Sequence, residues 1–177
     1  MEDIQHLIKE CLANNRLGQE KLYKKFYPSL FLLCRKFYNN DVDAMEALND
    51  GMLQVFTQLH KYDDTKGTLY NWAYTVVRNV VLDKLRLKKW PPLYEITEES
   101  KTVDAGVLKQ LEWKDIYKLL DNLPPATRIV CSLFYLEDFS IKEISTNIKL
   151  SEGTVKWHLS EARNKMKPIL EKHYQKK

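Results

Sequence analysis

Apolar residues recur along the N-terminal half of the chain at intervals of three and four, the spacing of one helix face. This pattern predicts four helices, over residues 3–16, 19–38, 42–62 and 68–87. The third predicted helix has the clearest apolar stripe, made by Ala44, Leu48, Met52, Val55 and Leu59. The fourth has a predicted buried face made by Trp72, Val76, Val80, Val81 and Leu85. Because no segment alternates like a β-strand, we expect an all-α fold.

The C-terminal half shows the same periodicity and predicts helices over residues 108–121, 126–135, 141–148 and 152–170. Between the halves, Pro91 and Pro92 stop the fourth helix, and the acidic stretch after them lacks an apolar face. We therefore expect two small helical domains, residues 1–90 and 108–177, joined by a flexible linker over residues 91–107.

Residues 140–163 carry the pattern of a helix-turn-helix, whose second helix enters the DNA major groove. Ile144 and Ile148 form the apolar face of its first helix, and Ser151 is a residue type that begins a new helix. Val155 and Leu159 then point inward, so the other faces are available to DNA. We expect DNA contacts from Ser151, Glu152, Gly153, Thr154, Lys156, Trp157, His158, Ser160 and Arg163.

Individual roles in this set follow from side-chain chemistry. Lys156 suits guanine O6 and N7, or a phosphate. Gly153 destabilises a helix by about 1 kcal/mol relative to alanine, so we expect close approach of its backbone to DNA or to the preceding helix. Trp157 suits packing as well as DNA contact. His158 is expected to face phosphate or solvent and not to act as a pH switch.

The net charge is only +4, but the basic residues are concentrated in two places. Residues 149–177 hold eight Lys or Arg against three Glu, and residues 78–89 form a second basic cluster. Two separate basic patches indicate two contacts with a polyanion.

Composition argues against several other classes of protein. Three cysteines and four histidines lack zinc-site spacing, so we expect buried reduced thiols, no metal and no cofactor. No stretch approaches the roughly 20 apolar residues of a membrane span, and the N-terminal segment is unlike a signal peptide, so we expect a cytoplasmic protein. The sequence also lacks a Gly-rich phosphate loop and a nucleophile elbow, which argues against an enzyme.

Both halves resemble the sigma-70 family of RNA polymerase sigma factors, in its extracytoplasmic-function (ECF) group. Leu123–Arg128 (LPPATR), followed by the helix-turn-helix, is similar to region 4 of these factors. Thr154–Leu159 (TVKWHL) is also similar to LuxR-type regulators, which bind duplex DNA without docking to polymerase. The N-terminal half favours the sigma factor, because Asp43–Phe56 is similar to region 2.2 and Tyr62–Arg86 to regions 2.3 and 2.4.

The resemblance implies a non-catalytic subunit that binds core RNA polymerase and directs it to promoter DNA. Polymerase docking then falls on an acidic stripe of the third predicted helix, comprising Asp43, Glu46, Asn49, Asp50 and Gln54. Binding of the minus-10 element falls on Asp63, Asp64, Thr65, Lys66, Thr68, Asn71, Thr75, Arg78, Asn79, Lys84 and Arg86. The helix-turn-helix reads the minus-35 element. An anti-sigma factor is a further partner that the family often has.

The sequence departs from the family pattern at Met45, Ala47, Gly51, Leu69, Trp157, His158 and Glu161. Leu69 stands where the family has a phenylalanine that stacks on DNA. Glu161 repels phosphate, so we expect an unusual minus-35 element. Trp72 is expected to be a core residue in preference to a platform for bases.

Overall fold

The structure, a computed structural model, describes residues 4–87 and 113–174. Within these ranges it has eight α-helices, two 3₁₀ turns and no strand, which confirms the all-α prediction. The chain divides into two compact units, Met1–Arg35 with Asn40–Lys84 and Lys36–Asn39 with Leu85–Lys177. The predicted linker at residues 91–107 lies outside the described ranges, and the domain limits 1–90 and 108–177 stay predictions.

The N-terminal half contains helices α1 (Ile4–Leu12), α2 (Arg16–Phe37), α3 (Asp41–Gln58) and α4 (Leu69–Leu87). Two 3₁₀ turns, Leu59–Lys61 and Asp64–Lys66, connect α3 to α4. Pro28 lies within α2, which continues through it. The predicted apolar stripe of α3, with Leu48 and Val55 at its centre, is buried over its whole length.

The buried face of α4 differs in part from the predicted one, of which Val81 and Leu85 are buried as expected. The buried residues are Leu69, Ala73, Val77, Val81 and Leu85, at intervals of four, together with Leu82. The predicted Val76 and Val80 are half-buried. Gly51 of α3 explains this rotation, because a Cβ built there would lie 2.8 Å from Val77 Cγ1 and 3.1 Å from Val77 Cα. The absence of a side chain at Gly51 thus allows Val77 to pack closely against α3.

Trp72 was expected in the core, and the structure corrects this. The side chain is half-buried and packs on Tyr62, with ring centroids 5.8 Å apart at an angle of 55°. Because the buried face of α4 centres on Ala73, the adjacent position lies at the edge of the core.

The C-terminal half contains α5 (Trp113–Asp121), α6 (Pro125–Tyr135), α7 (Ile141–Ile148) and α8 (Glu152–Tyr174). Helices α6 and α7 both pack against α8. One cluster of the core of this half comprises Ile116, Leu119, Leu120, Leu123, Cys131, Ala162, Met166 and Leu170. Pro125 occupies the start of α6, where its missing N–H costs no hydrogen bond.

The cysteines Cys11, Cys34 and Cys131 are buried and unpaired. Burial raises the pKa of Cys131 to about 12 and that of Cys34 to about 12. Over residues 4–87 and 113–174 no cluster of three His, Cys, Asp or Glu is placed to hold a metal ion. None of the helices in these ranges is long and apolar enough to cross a bilayer.

Candidate functional site

Hydrogen bonds hold the start of α7 and the turn between α7 and α8. Ser140 and Glu143 form a capping box at the start of α7, in which Glu143 N donates to Ser140 Oγ over 3.2 Å. At the end of α7, Lys149 has a left-handed backbone with φ 55°. Ser145 Oγ then donates to the carbonyl of Leu150 over 2.6 Å. The left-handed Lys149 and the Ser145 hydrogen bond hold residues 149–151 as the turn of a helix-turn-helix.

The first turn of α8 is capped and faces outward. Ser151 Oγ accepts a hydrogen bond from Thr154 N over 3.1 Å and lies 2.9 Å from Thr154 Oγ1. Ser151, Glu152, Gly153 and Lys156 are exposed. Their positions leave the start of α8 accessible to a ligand.

The rest of the predicted recognition set is less exposed. Thr154, Trp157, Ser160 and Arg163 are half-buried. Arg163 is hydrogen-bonded to Tyr135, whose hydroxyl has its pKa raised by burial in spite of that cation. A DNA contact by Arg163 therefore competes with a contact inside the protein.

His158 was expected to face solvent or phosphate, and the structure corrects this. Its side chain is only 4% exposed, and Nδ1 lies 3.0 Å from the hydroxyl of Thr127 at the start of α6. Burial lowers the pKa of His158 to about 4, in spite of the charge of Glu161. The ring is thus a neutral packing group between α8 and α6, because position 158 lies beside Leu159 on the inner face of α8.

The turn before α4 is exposed and internally bonded. Asp63 accepts from Thr65 N over 3.0 Å and from Thr65 Oγ1 over 2.6 Å, and it pairs with Lys66 at 3.2 Å. The Thr65 hydroxyl, the Thr65 amide and Lys66 lower the pKa of Asp63. Gly67 follows with φ 140°, and Tyr62 Oη donates to its carbonyl over 2.9 Å. The turn therefore has a defined shape of its own.

The outward face of α4 begins at Thr68, whose hydroxyl accepts from Asn71 N over 3.2 Å. Asn71, Thr75 and Asn79 follow at intervals of four and are all exposed. Arg78 and Arg86 are half-buried, at the sides of this line. The structure thus brings the turn and three uncharged polar side chains onto one continuous surface.

The predicted polymerase-docking stripe on α3 lies beside Lys84 of α4. Lys84 Nζ lies 2.5 Å from Asp50 and 2.8 Å from Glu46. Burial alone would lower the pKa of Lys84, but hydrogen bonds and charge from the two carboxylates raise it. Lys84 was predicted to contact minus-10 DNA. In the structure it is paired with two residues of the docking stripe.

The other docking residues also have contacts within the first unit. Tyr23 Oη donates to Asn49 Oδ1 over 2.8 Å, and Gln58 Nε2 donates to Gln54 Oε1 over 2.9 Å. Asp43 accepts from Asn40 Nδ2 over 2.9 Å at the start of α3. The stripe is therefore held in position before any partner binds.

Sequence reasoning missed three supporting residues. Tyr23 orients Asn49, Thr127 anchors His158, and Tyr62 holds Gly67. Thr127 lies in the LPPATR segment, whose similarity to region 4 does not indicate a contact with His158. Each of these residues is polar or aromatic and contacts a partner on a different element or turn. The periodicity of apolar positions does not reveal such pairs.

Two family models match the chain. Residues 22–91 match sigma-70 region 2, and residues 113–166 match sigma-70 region 4. The chain belongs to the sigma-70 family. Similar curated proteins place it in the ECF group of that family. It is therefore a sigma factor that binds RNA polymerase and recognises promoters, and the LuxR-type alternative finds no support.

The chain is similar to the ECF RNA polymerase sigma factor SigM of Mycobacterium tuberculosis, with 24% identity over 172 residues, 93% of this chain and 83% of that protein. It is also similar to SigW of Bacillus subtilis, with 24% identity over 183 residues, 93% of this chain and 97% of that protein. One solved structure, the sigma factor RpoE with the anti-sigma factor NepR from Bartonella quintana, aligns with TM-score 0.47 and 16% identity over 86% of this chain and 96% of that one.

Proposed function

We propose that this ECF sigma factor divides promoter recognition among three surfaces. The N-terminal half of α8 reads the minus-35 element, α4 and the turn before it hold the minus-10 element, and the acidic stripe of α3 docks core polymerase. The observation that carries this proposal is the capped and exposed start of α8, with Lys156 facing outward beyond a buried Val155.

The start of α8 is suited to duplex DNA. Unpaired backbone N–H groups at a helix N-terminus attract phosphate, and Ser151 and Thr154 add hydroxyl groups. Lys156, one turn further on, reaches either a base edge or a phosphate. Glu152 and Glu161 limit how closely phosphates approach on their sides of the helix.

The α4 surface is suited to unpaired bases. Amide and hydroxyl groups of Asn71, Thr75 and Asn79 offer hydrogen bonds to base edges. Tyr70 and Tyr74 are half-buried beside them, with ring centroids 6.2 Å apart. Aromatic side chains supply stacking worth about 1–3 kcal/mol per base.

The docking surface is suited to a basic partner helix. Glu46 and Asp50 carry charge, and Lys84 already neutralises part of it. A basic group of the polymerase would compete with Lys84 for these carboxylates. Docking thus exchanges one ion pair for another, which favours specificity over raw affinity.

Two variants separate the surfaces. Lys156→Ala should weaken use of the minus-35 element and leave binding to core polymerase intact, because the two contacts lie in different units. Asp50→Arg should weaken binding to core polymerase, measured by fluorescence anisotropy of labelled factor. Asp50→Asn is the control, since it removes the charge without reversing it and should have a smaller effect.

Transcription from a promoter library with reconstituted holoenzyme gives the functional readout. New start sites should appear only when factor and core polymerase are both present. If Lys156→Ala reduced core binding as much as Asp50→Arg does, the assignment of surfaces would be wrong.

Three further expectations follow from this role. The protein acts by binding and has no catalytic activity of its own. It works in the cytoplasm, where polymerase and chromosome meet. Membership of this family also makes an anti-sigma factor an expected partner. Purification of the tagged factor from uninduced cells, followed by a core-binding competition assay, tests for one.

A further inference from the structure

Trp157 occupies the middle of the outward face of α8. It follows Gly153 by four residues and precedes Ser160 by three, so these three positions share one side of the helix. The residues on the opposite side, Val155 and Ala162, are fully buried. The Trp157 side chain is half-buried, so part of the indole is exposed on this side of the helix.

The Trp157 ring is held in place by a buried partner. Its centroid lies 4.9 Å from that of His158, and the ring planes meet at 72° in an edge-to-face contact. His158 is in turn bonded to Thr127 of α6. The indole is therefore braced through His158 against the start of α6, and ordering it on binding costs less entropy than ordering a free side chain.

Gly153 leaves the space on this face open one turn before Trp157. A Cβ at Gly153 would meet nothing nearer than Ser151 Oγ at 3.8 Å, so packing within the described residues does not require glycine there. The expected alternative of close approach to α7 is thereby contradicted. Glycine weakens the helix at this position. Close approach of a ligand to its backbone is the remaining reason for a glycine there.

The geometry points to Trp157 as a specificity-determining residue that contacts the C5-methyl group of a thymine in the minus-35 element. This inference rests on the proposed role of α8. The thymine methyl is the one apolar group that base pairs display in the major groove. A braced aromatic surface beside bare backbone offers an apolar contact to that group.

Removal of single methyl groups from DNA tests this. Promoters are first selected with the reconstituted holoenzyme, and each thymine of the minus-35 element is then replaced by deoxyuridine. At one position this change should weaken promoter binding by the wild-type holoenzyme about three- to fivefold, the effect of one buried methyl group. The Trp157→Ala holoenzyme should bind more weakly and should no longer distinguish thymine from uracil at that position.

Lys156→Ala serves as the comparison, because it should weaken binding while keeping the response to the methyl group. Thermal melting of each variant verifies folding, and Trp157→Phe should retain part of the discrimination. If every substituted promoter bound wild type equally, or if Trp157→Ala kept the full response, the inference would be overturned. Failure of the holoenzyme to initiate at any promoter would instead contradict the proposed function.

Discussion

At the residue scale, His158 links the stability of the C-terminal unit to pH. The pKa of this ring is about 4 in the folded protein, against 6.5 for the ordinary side chain, because burial opposes its charged form. Between pH 6.5 and pH 4 the His158 ring is protonated in the unfolded chain but stays neutral in the folded chain. Stability is therefore fully present above pH 6.5 and falls as the pH drops towards 4.

This linkage predicts a loss of about 2 kcal/mol in the free energy of unfolding between pH 7 and pH 5 from His158 alone. Urea unfolding of wild type and His158→Gln at both values measures it. The glutamine variant can still bond to Thr127 but does not titrate, so its loss over the same range should be smaller by that amount. Equal losses in the two proteins would show that the ring does not control this response.

His158 and Trp72 show where prediction at the scale of single residues fails. An imidazole counts as polar in a periodic pattern, so His158 was placed outward although it lies next to Leu159 on the inner face. Its partner Thr127 is 31 positions away in sequence, and only the folded unit brings them together. Trp72 shows the opposite error, since a large apolar side chain can cover the edge of a core without entering it.

At the element scale, Gly51 sets the distance between α3 and α4. Gly51→Ala gains about 1 kcal/mol of helix propensity but forces a Cβ into Val77, and overpacking costs about 1–3 kcal/mol. We expect net destabilisation in chemical unfolding. Because the clash is with the Val77 methyl groups and backbone, adding Val77→Ala should recover only part of the loss.

Gly153→Ala is the matched control for that substitution, since the added methyl group would meet only Ser151 Oγ, at 3.8 Å. It should leave stability unchanged or raise it by up to about 1 kcal/mol. If both glycine variants changed stability equally, close packing at Gly51 would not be the cause.

Lys84 supplies the second prediction at this scale. Lys84→Gln breaks two half-exposed ion pairs, so the loss of stability should stay within about 1 kcal/mol. Since the ammonium is bonded to Glu46 and Asp50, we expect the affinity for a minus-10 fork-junction probe to stay unchanged. Asn79→Ala, on the exposed line of α4, should weaken that binding. A loss of probe affinity in Lys84→Gln, with a reduced salt dependence, would restore Lys84 as a DNA contact.

Element positions were predictable because three- and four-residue periodicity is strong in this chain. Helices α3, α7 and α8 begin within one residue of the prediction, where Asn40, Ser140 and Ser151 act as caps. Which side of α4 is buried was not predictable, because the helix carries apolar residues on more than one side between Leu69 and Leu85. Gly51 on another helix selects the buried side, and that information is not local.

At the scale of the whole molecule, the candidate surfaces belong to two separate compact units. Asn79 lies in the first unit and Lys156 in the second. The effects of substitutions at independent sites usually add to within about 0.3–0.5 kcal/mol. The effects of Asn79→Ala and Lys156→Ala on promoter binding by the holoenzyme should therefore be additive.

Affinities of wild type, both single variants and the double variant for one promoter provide the measurement. If each unit binds its own DNA element independently, the losses of binding free energy add. The fold-reductions in affinity of the two single variants then multiply in the double variant. A double variant that binds better than this product would show that losing one element already releases the other. Such coupling would make recognition of the two elements a single cooperative step, because the affinity of each unit for DNA would then depend on binding by the other unit.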